Sequence, residues 1–330
     1  MRYLSESDIK SVFSMRDAIE ADAEALGLYS SGRADLPLRT NINVPEYNGQ
    51  SLYMPGYVSV ADPSLGVKIV SVYPNNIKAG LPSVPATMVT LDAETGIVNA
   101  VIDGTYLTQL RTGAVQGLAT ELLSREESKT ALLIGTGGQG LSQLEAMLTV
   151  RDLELVYVYD LNEERAKEFC ATATDTFSVG FTTKFKPVTD PNMVVPSVDI
   201  ITSVTTSRRP TFDGSLVKPG THINGVGAYT PEMCEIPYEA IVKADRIFFD
   251  TMDGVLSEAG DFIQPIKQGR LNESDISGEI GSVVNKKIVG RNSNSEVTLF
   301  KTVGTAALDV VVADRIIKKA NIENVGIKLE

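Results

Sequence analysis

The chain has 330 residues, 43% of them hydrophobic, and a net charge of −12. That length points to two domains, and the acidic excess excludes a surface built for nucleic acid or an anionic membrane, since both need a basic field. No apolar run reaches the roughly 18 residues of a membrane span, the N-terminus MRYLSESDIK lacks a signal-peptide core, and Cys170 and Cys234 form no CxxC pair, so the expectation is a reduced, cytoplasmic protein.

In chain order, residues 5 to about 30 predict one helix, with Ser5 and Asp8 as a capping pair and Ile9, Val12, Phe13, Ile19 and Leu26 on its apolar face. Residues 36–104 predict strands, LRTNINV, SLYMPGYVSV, GVKIVSVYP, ATMVTLD and IVNAVIDG, punctuated by turn residues. Residues 106–124 predict a helix carrying Arg111-Thr112-Gly113-Ala114. An apolar strand at 131–134 then runs into Gly135-x-Gly137-Gly138-Gln139-Gly140, followed by a helix with Leu141, Leu144 and Leu148 on one face and a second strand at 155–159 that ends on Asp160. Later strands are expected at 199–204, 221–226 and 246–250, and a final helix at 302–320.

Strand, glycines, helix, strand and acid in that order form a dinucleotide-binding fingerprint. Gly135 permits the tight turn, Gly137 lets the backbone approach a pyrophosphate, and Gly140 lets helix and strand pack closely. The free N–H groups at the helix start suit phosphate. Asp160 lies 20 residues past Gly140, where a carboxylate binds ribose hydroxyls and repels a 2′-phosphate; no arginine appears before Arg165. NAD (NADH) is therefore favoured over NADP. The hydroxyl-rich loop SVTTS and the glycine-rich loop NGVGAYT follow two later strands, where a doubly wound sheet binds its ligand. The single histidine, His222, rules out multi-histidine metal sites. It reads as a structural residue near a strand end, and no metal is expected.

A wider set of motifs then falls into place: Pro37-Leu38-Arg39, Met54-Pro55, Gly66-Val67-Lys68, Gly80-Leu81-Pro82-Ser83-Val84, Asp103-Gly104-x-x-Leu107-Thr108-x-x-Arg111-Thr112-Gly113-Ala114, Gly135-Thr136-Gly137-x-Gln139 and His222-Ile223-Asn224-x-Val226-Gly227. In this order they resemble the ornithine cyclodeaminase/mu-crystallin family, from about residue 3 to 315. The resemblance implies an α/β fold in which a Rossmann dinucleotide-binding domain (116–304) is inserted in a smaller α+β dimerisation and substrate domain (1–115 plus 305–330), and a homodimer joined through the β-rich part. It also implies nicotinamide-dependent chemistry at the α-carbon of an amino acid or its imine.

Carried over residue by residue, the family pattern puts the substrate carboxylate on Arg39, Arg111 and Lys68, a grouping that suits bidentate carboxylate binding. Lys68 would also act as acid or base, because a lysine desolvated beside two arginines has a lowered pKa. The same pattern sets Met54 beside the substrate and Ser83, Thr112 and Gly138 beside the cofactor. Ser203 and Thr205 fall near its ribose, and Val226 and Gly227 near the nicotinamide. Val303 and Gly304 approach from the C-terminal side, with Asp309 near them on the same helix. The sequence departs from the family at Tyr229. Ornithine cyclodeaminases carry there an aspartate that binds the distal amine, and a phenol does that poorly. The implied activity is therefore NAD(H)-dependent reduction of a small cyclic imino acid, a pyrroline- or piperideine-2-carboxylate. Conversion of L-ornithine to L-proline and ammonia ranks second, an alanine dehydrogenase-like oxidation third, and a mu-crystallin-like binding role last.

Overall fold

A computed structural model describes residues 1–37, 39–59 and 62–329. Leu38 of the Pro37-Leu38-Arg39 motif and Val60 at the end of SLYMPGYVSV lie outside the described residues. The chain divides into two compact units, Met1–Arg111 with Thr305–Glu330, and Thr112–Gly304.

The elements run β1 (Arg2–Leu4), α1 (Glu6–Val12), α2 (Met15–Tyr29), β2 (Ala34–Asp35), β3 (Thr40–Val44), β4 (Gly49–Val58), β5 (Ser64–Val72), β6 (Ala86–Leu91), β7 (Val98–Asp103) and α3 (Gly104–Leu123). There follow β8 (Thr130–Ile134), α4 (Gly140–Val150), β9 (Leu155–Tyr159), α5 (Glu163–Phe177), β10 (Lys184–Pro187), β11 (Ile200–Ser203), β12 (His222–Gly225), α6 (Tyr238–Lys243) and β13 (Arg246–Phe249). The chain closes with α7 (Met252–Glu258), α8 (Gly260–Lys267), β14 (Gly278–Glu279), α9 (Ile280–Val284), β15 (Thr298–Lys301), α10 (Ala306–Glu323) and β16 (Ile327–Lys328).

In the first unit the sheet order is β16-β1-β7-β6-β5-β4-β2, with β3 paired to β4. From Ser51 to Val58 in β4 and from Ser64 to Ser71 in β5, buried residues alternate with half-exposed or exposed ones, as expected of a sheet with one covered face. The covered face carries Leu52, Met54, Val58, Val70 and, among them, Lys68. Gly56 admits α10 to this face: a Cβ there would stand 3.2 Å from the Ala306 Cβ. The single N-terminal helix expected from the periodicity is two helices. Ser5 caps α1 as expected, but Ser14 caps α2 with a second capping box to Asp17, and that local pairing outcompetes helix continuation.

The second unit is an eight-stranded sheet in the order β10-β9-β8-β11-β12-β15-β13-β14, with every pairing parallel. The direction of strand addition reverses between β8 and β11, the topological switch point of dinucleotide-binding sheets. Successive β8 residues face opposite sides: Ala131 and Leu133 pack with α4 and α5 residues such as Leu144 and Phe169, while Leu132 and Ile134 pack with Ile201, Ile223 and Phe249. Burial on both faces explains the uninterrupted apolar run. The expected helix at 302–320 is corrected at its start. Thr298–Lys301 form a central strand, a loop follows, and α10 begins at Ala306 behind its N-cap Thr305. No described helix is long and apolar enough to cross a membrane.

Candidate functional site

The glycine motif lies between β8 and α4, at the carboxyl end of the sheet's switch point. Gly135 has φ +102°, and a Cβ on it would stand 2.9 Å from the Val204 carbonyl oxygen. A Cβ on Gly140 would stand 2.8 Å from the Phe169 ring. Gly137 and Gly138 are different: they are exposed and a Cβ on either meets nothing within 4 Å. That open space beside the start of α4 fits the close approach of a pyrophosphate. Asp160 Oδ2 accepts from Thr136 N at 3.1 Å and Thr136 Oγ1 at 2.6 Å, and its Oδ1 accepts from Asn162 N at 3.0 Å. Burial works to raise its carboxyl, but these donors outweigh it and hold the group below the usual aspartate value, so it is an anion at neutral pH.

The loops after β11, β12 and β15 are held by buried carboxylates. Ser203 is fully buried and its Oγ donates to Glu235 Oε2 at 2.7 Å; Thr205 Oγ1 does so at 3.1 Å. Both hydroxyls are thus turned to Glu235. Val226 is buried. Gly227 abuts Thr205 so closely that a Cβ would stand 2.1 Å from the Thr205 carbonyl oxygen. Val303 N and Gly304 N donate to Asp250 Oδ2 at 3.0 and 2.8 Å, with Thr302 Oγ1 at 2.6 Å. Val303 and Gly304 therefore belong to this loop and do not share a helix with Asp309, because the ties to Asp250 take their amides away from any helical ladder. His222 is buried, with Nδ1 2.9 Å from Thr298 Oγ1 and Nε2 2.9 Å from Asn224 Oδ1. Burial pushes its pKa down to about 3, which suits a neutral structural histidine.

The first unit gathers the charged residues. Lys68 lies on the covered face of β5, opposite Met54 of β4 and Met88 of β6. Its Nζ lies 2.7 Å from both oxygens of Asp309, in the first turn of α10. Arg111 Nε lies 2.9 Å from Asp309 Oδ1. Relative exposure is 1% for Lys68, 6% for Arg111 and 0% for Asp309. Burial lowers the Lys68 pKa to about 8, helped by the charges of Arg111 and Arg39 and opposed by Asp309. Arg39 is half-buried and close enough to act on Lys68. A further group was not legible from the sequence. Asp22 of α2 is fully buried and neither of its oxygens has a hydrogen-bond partner among the described residues. Burial pushes its carboxyl well above the usual range, against Arg111 and with Asp309. Burial thus favours the neutral acid at Asp22, and two buried cationic side chains, Lys68 and Arg111, face the single paired carboxylate of Asp309. That surplus of positive charge suits a small carboxylate.

Ser83 and Thr112 are half-buried, and Tyr229 is 39% exposed. Asp309, already a candidate from the sequence, is the one acid of an otherwise apolar first turn, Ala306-Ala307-Leu308-Asp309-Val310, and Lys68 and Arg111 supply the partners a buried acid needs. No described group of three or more His, Cys, Asp or Glu residues is arranged to hold a metal ion.

The model of the ornithine cyclodeaminase/mu-crystallin family matches residues 2–324. A Δ1-pyrroline-2-carboxylate reductase of Bacillus cereus is 36% identical over 333 aligned positions, covering 100% of both chains. The solved structure of the Thermococcus litoralis Δ1-pyrroline-2-carboxylate reductase with NADH and L-proline is 39% identical, with a TM-score of 0.93 and 100% of both chains covered. An archaeal alanine dehydrogenase dimer with bound NAD is 33% identical, with a TM-score of 0.89, covering 100% of this chain and 99% of that one. The chain belongs to the ornithine cyclodeaminase/mu-crystallin family.

Proposed function

We propose that this protein is an NAD(H)-dependent reductase of a small cyclic imino acid, Δ1-pyrroline-2-carboxylate first, yielding L-proline. The observation that carries the reading is the buried Lys68–Asp309–Arg111 cluster with its surplus positive charge and its lysine lowered to about 8. The likeness to reductases of that imino acid supports it. Gly135, Gly137, Gly138, Gln139 and Gly140 would hold the pyrophosphate and Asp160 the adenosine ribose. When bound there, NADH supplies a hydride to the imine carbon.

The remaining work falls to the chain's own side chains. Arg111 and Arg39 hold the α-carboxylate by charge-assisted hydrogen bonds. Lys68, as the ammonium, donates a proton to the ring nitrogen as the C=N bond becomes an amine, and is left neutral. Asp309 orients the lysine and keeps enough of it protonated near neutral pH. In the oxidative direction neutral Lys68 takes that proton back. Nothing in this scheme needs a carboxylate at Tyr229, whereas cyclisation of ornithine needs one to receive the distal ammonium. We read the protein as a cytoplasmic homodimer joined through its first unit.

The test supplies Δ1-pyrroline-2-carboxylate with NADH, L-ornithine with NAD, and pyruvate with ammonia and NADH, using the Lys68→Ala protein as the control. The expected result is the highest kcat/KM on the imino acid, with turnover in the variant falling by about 10²-fold or more, the scale of a lost proton donor. A higher kcat/KM on ornithine or on pyruvate overturns the reading.

A further inference from the structure

In the second unit, Glu235, Lys301 and Asp261 are all fully buried. Lys301 Nζ lies 3.0 Å from Asp261 Oδ2 and 3.6 Å from Glu235 Oε1. A buried triad of this kind adds little to stability by itself, because desolvation consumes most of the attraction. What it holds is more informative. Glu235 Oε2 accepts from Ser203 Oγ at 2.7 Å, at the end of β11, and from Thr205 N at 2.8 Å and Thr205 Oγ1 at 3.1 Å, in the loop that follows. Glu235 Oε1 accepts from Gly227 N at 2.5 Å and Ala228 N at 3.0 Å, in the β12 loop. One carboxylate therefore ties two loops together, at the same place where Gly227 abuts Thr205.

The carboxylate is itself fixed. Asp261 Oδ1 accepts from Glu235 N at 2.7 Å and Ile236 N at 2.9 Å. The Glu235 carbonyl accepts from Thr211 N at 2.9 Å. Gly260 lets α8 press on this segment, since a Cβ there would stand 2.2 Å from the Met233 carbonyl oxygen.

The strand order gives these loops a role. The glycine loop after β8 takes a pyrophosphate, and β9 with Asp160 lies on one side of it. β11 and β12 lie on the other side, the half of a doubly wound sheet that takes the second nucleotide. We propose that Glu235, braced by Lys301 and Asp261, is the positioning residue for the nicotinamide half of the cofactor: it pre-forms the two loops that receive that half and has no part in binding the adenosine half. Backbone N–H groups point at both oxygens, Thr205 at Oε2 and Gly227 and Ala228 at Oε1, so a carboxylate satisfies them all, whereas an amide must turn its own NH2 against at least one of them.

The proposal rests on the NAD(H) reading, and its test separates the two. Titration calorimetry measures NADH and ADP affinity for wild type and Glu235→Gln, beside thermal unfolding of each. NADH affinity is expected to fall about tenfold or more, the scale of losing a hydrogen bond to a charged group, with ADP affinity unchanged. A variant in which both affinities fall together, or neither falls, overturns the proposal and leaves the cofactor reading intact. Wild-type protein that binds neither ligand overturns both. A second measurement needs no variant: in wild type without cofactor, the amides of Thr205, Gly227 and Ala228 should resist hydrogen exchange as strongly as those of β11 and β12. Exchange at the rate of an open loop overturns the proposal even if Glu235→Gln fails to fold.

Discussion

Lys68 and Asp309 are 241 residues apart in the chain, yet the lysine Nζ lies 2.7 Å from the aspartate's oxygens, and both are shut off from solvent. A strand and a terminal helix meet to make this pair, and it sets the proton chemistry of the proposed site.

The first expected outcome concerns pH. Burial and Arg111 bring Lys68 down to about 8 from an ordinary 10.5, while Asp309 opposes them. Imine reduction needs the ammonium, so its kcat should fall as pH rises through about 8; amino-acid oxidation needs the amine and should rise there. Asp309→Asn removes the opposing charge and should move both midpoints to lower pH. Folding stability carries the same signature with its own sign. Below about 8 both folded and unfolded lysine are protonated; between about 8 and 10.5 only the unfolded one is, so this group's contribution to stability should increase with pH across that window. Steady-state rates and denaturant unfolding from pH 6 to 11 check both.

The second concerns cofactor choice. Asp160 is an anion tied to Thr136 and Asn162, and it should disfavour a 2′-phosphate. Arg165 Nη2 lies 3.4 Å from the Thr136 carbonyl oxygen, so a cation already stands beside this loop. Asp160→Ser should therefore bring NADPH affinity up towards that for NADH. Equal affinities in the unmodified protein would contradict the role given to Asp160.

Two glycines should respond in opposite ways. Gly227→Ala drives a methyl into the Thr205 backbone, 2.1 Å from its carbonyl oxygen and 2.2 Å from its nitrogen, and should cost about 1–3 kcal/mol or more of stability, as overpacking does. Gly137→Ala meets nothing within 4 Å and should leave stability within about 0.5 kcal/mol. It should nevertheless weaken NADH, because the methyl takes the space left for the pyrophosphate. Thermal unfolding and NADH fluorescence distinguish the two.

The last outcome concerns assembly. On the face of the first unit's sheet opposite Lys68, Tyr53 pairs across from Ile69, Pro55 from Val67, and Val67 from Val89. All are half-exposed in the single chain, and a continuous apolar sheet face of this kind marks an interaction surface. Light scattering should report a dimer at micromolar concentration, and Ile69→Asp should yield monomers. A monodisperse wild-type monomer would remove this part of the reading.

What the sequence determined by itself is local. The glycine spacing, the apolar strand before it and the acid that ends the next strand lie within 30 residues of one another, so their geometry follows from chain connectivity. The alternation of β4 and β5 follows from a pleat with a period of two, and it placed Lys68 on a strand face where a lysine needs a partner. The break at Ser14 was also written locally, in Ser14 and Asp17, but the apolar positions of α1 and α2 continue across it and conceal it. What only the tertiary structure decided is how distant charges meet. Periodicity reports which side of an element faces inward but not what is found there. Asp309 against Lys68, Asp22 buried with no hydrogen-bond partner among the described residues, and Glu235 tying the β11 loop to the β12 loop arise where elements far apart in the chain pack together. The ionisation of Lys68, Asp22 and Glu235 is set by burial and by neighbouring charges, and neither exists before the chain folds.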